Sequence, residues 1–94
     1  MTQLAKVGSI HTSVFTEAGN TYIVYHKTKV VRFNRKNIRL DSGGWFTATT
    51  KTRMNQASNQ YALGFRVYQH AKKWYIDYKE DHAIKFYDGI MLDR

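Results

Sequence analysis

Cysteine and proline are both absent from the 94-residue sequence. Without cysteine there is no disulfide framework, no thiolate metal site and no cysteine nucleophile. Without proline the usual loop stiffener is missing, and turn formation rests on Gly, Asn and Asp. No apolar run approaches the roughly 18–20 residues needed to span a bilayer, and the opening Met-Thr-Gln-Leu-Ala-Lys-Val-Gly-Ser lacks the apolar core of a signal peptide. Internal repeats, low-complexity tracts and linkers are missing too. The expectation is a soluble, cytoplasmic protein in which residues 1–94 form a single domain. Acidic residues are the other scarcity: 7 Asp+Glu stand against 15 Lys+Arg, for a net charge of +8.

What is present argues for a folded core. Hydrophobic residues make up 43% of the chain, too many for wholesale disorder. Seven Tyr, five Phe and two Trp add large apolar payloads, each able to bury about 150–250 Å².

The charge is concentrated. Residues 27–53 hold Lys27, Lys29, Arg32, Arg35, Lys36, Arg39, Lys51 and Arg53 against Asp41 alone, a net of +7. The segments on either side, 1–26 and 54–94, carry net charges of 0 and +1. Scattered lysines serve solubility, whereas a local excess of this size favours an anionic partner.

Hydrophobic periodicity orders the elements. Residues 9–16, 21–25, 29–33 and 37–40 read as strands, the second being a dense β-branched and aromatic run. Asp41-Ser42-Gly43-Gly44 breaks the pattern, and residues 49–62 then read as a helix with Met54, Ala57 and Tyr61 on one stripe. Thr47, Thr49 and Thr50 compete for its N-cap, and Gly64 suits its end. Strands resume over 65–69, 73–78 and 83–87, and Asp88-Gly89 turns into Ile90-Met91-Leu92. Four strands, a helix and three strands predict an α+β fold. Its form is a small curled antiparallel sheet, or a partly open barrel, with one helix inserted between strands. An OB-like barrel matches only in element order.

Catalytic patterns are weak. His11, His26, His70 and His82 lack metal-ligand spacing and read as turn or surface histidines. No serine or threonine has a nucleophile-elbow context, and Gly43-Gly44 fits neither phosphate-binding glycine fingerprint. Asp77, Glu80, Asp81 and Asp88 are the carboxylates available for two-metal chemistry, but they read as solvated turn charges. No enzyme activity, metal or cofactor is expected.

The stronger constellation interleaves cations with aromatics and amides. Lys29, Arg32, Arg35, Lys36, Arg39, Lys51 and Arg53 are the candidate phosphate contacts, because such groups neutralise phosphates and release counterions. Asn55, Gln56, Asn59 and Gln60 read mostly as a water-facing helix flank. Tyr22, Tyr25, Tyr68, Tyr75 and Tyr87 can stack bases, although small β cores use tyrosines for packing. Trp45 is either an exposed stacking group or a buried pin at the strand-to-helix junction, and the buried reading is favoured.

The stretch Ser42-Gly43-Gly44-Trp45-Phe46-Thr47-Ala48-Thr49-Thr50-Lys51-Thr52-Arg53-Met54-Asn55-Gln56 resembles small proteins of tailed bacteriophages. Phe65 to Gln69 and Trp74-Tyr75-Ile76 extend the similarity over roughly residues 26–92. The family brings no settled activity, so the resemblance implies a phage context and host cytoplasm but transfers no site residue. Two functions compete. One is non-catalytic binding of nucleic acid, DNA or RNA, through residues 27–53. The other is inhibition of a host nucleic-acid-handling protein, as by an anti-CRISPR or polymerase-binding factor. A virion component is a third reading. No membrane partner is expected, and an exposed edge strand makes a homodimer plausible.

Overall fold

Ala18 and Gly19 both take positive φ (51° and 81°), the backbone of a two-residue turn whose twist matches that of the strands it joins. They connect β1 (Thr12–Glu17) to β2 (Asn20–Tyr25). The computed structural model describes residues 11–94, so residues 9 and 10 of the first expected strand lie outside the described residues. β3 (Thr28–Phe33) and β4 (Asn37–Leu40) follow, then α1 (Ala48–Gln60), β5 (Phe65–His70), β6 (Lys73–Tyr78), β7 (Asp81–Lys85) and β8 (Ile90–Asp93).

The fold is α+β, with its helix inserted between the fourth and fifth strands. The strands form two antiparallel sheets, one of five in the order β1-β2-β3-β4-β8 and one of three in the order β5-β6-β7. The sheet is not closed into a barrel. The count of three strands after the helix is corrected to four. In sequence, residues 90–92 are only the short stretch that follows the Asp88-Gly89 turn. They form an edge strand that pairs Ile38 with Leu92 and Leu40 with Ile90.

Alternation along the strands builds the core. Ile23, Val31, Leu40 and Ile90 face one another across four strands, and Phe33, Ile38 and Leu92 make a second row. Met54 and Ala57 of α1 pack on this inner face, and Val67, Trp74, Ile76 and Phe86 bring the smaller sheet into the same cluster. The helix has little amphipathic drive of its own and depends on this packing. Thr47 caps it, accepting from the Thr50 N–H at 3.2 Å. It ends without glycine: Ala62 takes φ 52°, and the Leu63 N–H returns to the Ser58 carbonyl at 2.9 Å.

Candidate nucleic-acid interface

The outer face of the five-stranded sheet is built by a register shift. Strict alternation in β3 would put Lys29 on the same side as Val31 and Phe33, toward the core. A bulge opposite Ile23/Val24 intervenes, so that Ile23 pairs with Val31 while Val24 pairs with Lys29. Two residues then share one facing position. Val30 and Val31 are both buried, 1% and 0% exposed, and Lys29 joins Arg32 on the outer face.

A row crosses all five strands there: Phe15, Tyr22, Arg32, Arg39 and Met91 are successive register partners. Phe15 stacks on Tyr22 with centroids 4.9 Å apart and planes 20° apart, and the Lys29 ammonium lies 4.8 Å from the Tyr22 centroid. Arg32 is held by neutral groups: Asn37 Oδ1 at 2.7 Å, Asn20 Oδ1 at 3.3 Å and Met91 Sδ at 3.2 Å. Its charge is positioned without being neutralised. Arg39 differs, because Asp41 pairs with it at 3.1 Å. Among the described residues it is the one member of the seven-cation set within ion-pair distance of a carboxylate.

Arg35 and Lys36 are exposed in the β3–β4 turn. Asn34 shapes that turn, its Oδ1 accepting from the backbone N–H groups of Lys36 and Asn37 at 2.8 and 2.9 Å. Lys29 and Arg32 stand roughly 10 Å apart along β3, at about 3.3 Å per residue, and Arg35 and Lys36 follow in the turn at its end.

Trp45 is 64% exposed, which corrects the expectation of a buried pin. Its loop is fixed from beneath: Ser42 donates its N–H and Oγ–H to Asp88 Oδ1, each at 2.7 Å. Gly43, at φ 63°, lies so close on Thr28 that a Cβ there would collide with the threonine side chain. The indole therefore stands beside the β2–β3 turn and lines a cavity of about 630 Å³ with Tyr25, His26, Lys27, Thr28 and Thr47.

Lys51 and Arg53 do not share the outer face. They sit on α1, across the core. Lys51 reaches Gln69 at 3.1 Å. Arg53 donates to Thr12 Oγ1 at 3.0 Å and Gln56 Oε1 at 3.1 Å, with its guanidinium 5.7 Å from the Tyr25 centroid. The seven cations thus divide into five along β3, its turn and β4, and two on the helix.

Two other expectations change. Asn55 is not water-facing: its amide pairs with both backbone groups of Val67 at 2.8 Å, and Gln56 is buried. Asp77 and Asp88 are not merely solvated turn charges. Asp88 anchors Ser42, and Asp77 accepts from the Ala83 N–H at 2.9 Å and the Tyr68 hydroxyl at 3.1 Å. The Ala83 N–H bond, then the Tyr68 bond and the neighbouring His82 and Arg66, hold the Asp77 carboxyl below its ordinary range, against some desolvation. Partial desolvation and the Asp77 carboxylate push the Tyr68 phenol up.

Phe15 and Met91 were not among the sequence candidates. Phe15 could have been found from strand alternation, which puts it opposite Val14, but Met91 needed the β4–β8 pairing. Among the described residues no cluster of three or more metal-ligating side chains occurs, and no helix is long and apolar enough to cross a membrane.

The class of protein is set by a family model that covers residues 2–93, almost the whole chain, and that describes bacteriophage proteins. The chain belongs to this family, the Kyanoviridae Gp96 protein family, in agreement with the phage resemblance of its Ser42–Gln56 stretch. No curated protein and no solved structure matches it.

Proposed function

We propose that this phage protein binds nucleic acid without catalysis through the outer face of its five-stranded sheet, and that the strand it takes is single. The observation that carries this reading is the juxtaposition on one open face of Lys29 and Arg32, with Arg35 and Lys36 at its end, beside the stacked Phe15–Tyr22 pair. Cations that track a backbone next to exposed aromatic rings are how sequence-tolerant single-strand binders work. A broad sheet face does not enter a duplex groove as a helix or ribbon does. Trp45 adds an aromatic surface at the β2–β3 end. Arg39, already paired with Asp41, contributes less than its neighbours.

Fluorescence anisotropy with labelled single- and double-stranded oligonucleotides over a salt series tests this. The wild type is expected to prefer single strands. The triple variant Arg32→Gln, Arg35→Gln, Lys36→Gln is expected to lose on the order of tenfold in affinity and to flatten the salt slope by about two units, at ~0.7 per lost contact. Absence of oligonucleotide binding by the wild type, together with a host protein retained from nuclease-treated lysate, would replace this reading with the inhibitor one.

A further inference from the structure

Phe46, next in sequence to Trp45, is also exposed (56%) but lines a different cavity. Trp74 and Phe86 support it from below. Phe46 meets Trp74 edge-on at 4.9 Å and Phe86 at 6.2 Å, and Trp74 lies 5.3 Å from Phe86. The resulting pocket, about 300 Å³, is lined by these three rings with Gln69, Lys72, Lys73 and Lys85. Lys51 closes the ring of charge, its ammonium 5.6 Å from the Trp74 centroid and bonded to Gln69. Trp74 and Phe86 are 6% and 7% exposed, so Phe46 is the ring that a ligand meets; three lysines line the cavity, Lys51 stands beside it, and no carboxylate lines it. Three of those lysines lie outside the 27–53 segment.

We infer that this pocket is a second nucleic-acid contact, which takes one base of a single strand against Phe46, the exposed ring that buried Trp74 backs, while the lysines hold its flanking phosphates. An aromatic floor alone would suit any apolar group, and lysines alone would suit any anion. Their combination selects a ligand that is flat and aromatic at one end and polyanionic beside it. The adjacency of Trp45 and Phe46 gives a strand two aromatic surfaces on either side of one stretch of backbone. The inference rests on the nucleic-acid reading above but concerns residues of the other sheet.

The test uses the full chain with Trp45→Phe, so that Trp74 is the sole indole, titrated with a short oligothymidylate. Binding is expected to quench Trp74, which is buried but lies 4.9 Å from the Phe46 ring that the base meets. Phe46→Ala should weaken binding on the order of tenfold. Lys72→Gln, Lys73→Gln and Lys85→Gln together should flatten the salt slope by about two units. Because Phe46 and the three lysines are all at the surface, these variants retain the core. Unchanged affinity and quenching in both variants, with the Arg32, Arg35 and Lys36 variant still impaired, would overturn the pocket and leave the sheet-face reading standing. Failure of the wild type to bind any oligonucleotide would overturn both. Equal affinity for thymidine monophosphate and the oligomer would also overturn it, by making the ligand a free nucleotide.

Discussion

Lys29 and Arg32 are three residues apart, a separation that puts side chains on opposite faces of a regular strand. One additional residue, Val30, reconciles a buried valine pair with two outward cations, so the candidate interface depends on a local irregularity. Asp77 does similar work in the smaller sheet. Its carboxylate takes the Ala83 N–H where β7 slips against β6 and where Ala83 has φ 54°. Because these contacts lower its pKa in the folded protein, Asp77 adds stability above the ordinary carboxylate range. That contribution is lost as the pH falls through its native value. Asp77→Asn is therefore expected to lower the melting temperature at neutral pH, with the gap to wild type closing in strong acid. Thermal melts of both proteins across that range check the sign, and a gap that widened toward acid would refute it.

At the scale of elements, α1 acts as a surrogate strand. Asn55 and Ser58 sit one helical turn apart and bond to Val67 and Phe65, two residues apart on the edge strand β5. Side chains thereby satisfy backbone groups that another strand would otherwise satisfy, which protects a sheet edge. Asn55→Ala leaves the Val67 N–H and carbonyl without these partners. It is expected to cost about 1–3 kcal/mol in urea unfolding, whereas Asn59→Ala, at an exposed position, should cost almost nothing. The order of elements and most of their bounds were legible in the sequence, because period-two runs such as 73–78 and the Met54–Ala57 stripe are local signals. The last strand was not, since Ile90-Met91-Leu92 is too short to show a period and becomes a strand only by pairing with β4. Division into two sheets depends on which strands hydrogen-bond, and a bulge leaves no trace in composition. Asn55 looked like a solvated amide because its partner lies 12 residues away in β5. For the candidate site, the basic segment itself was legible, but its division between sheet face and helix, and the exposure of Trp45, were set by tertiary packing.

The whole molecule is held together by the route of the chain. After four strands it leaves the large sheet, forms the helix and the smaller sheet, and returns as β8 to the edge of β4. One apolar cluster runs through both sheets and the helix, and the Tyr78 hydroxyl donates across them to the Asp93 carbonyl at 3.0 Å. Neither sheet can expose its inner face without exposing the other's. Damage to the edge strand of one sheet should therefore be felt fully in the other. Leu92 is almost fully buried on β8, and Leu92→Ala is expected to cost about 2–5 kcal/mol, a large share of the stability of a domain this small. The informative measurement is where that loss registers. With Trp45→Phe as background, Trp74 fluorescence reports the three-stranded sheet, while far-UV circular dichroism reports all the secondary structure. The urea midpoints from the two probes should coincide in the parent and shift together in the Leu92→Ala protein, as a single cooperative unit requires. A circular-dichroism midpoint that fell while the Trp74 midpoint stayed in place would mean that the sheets unfold separately, and that the sheet face and the Phe46 pocket belong to independent units.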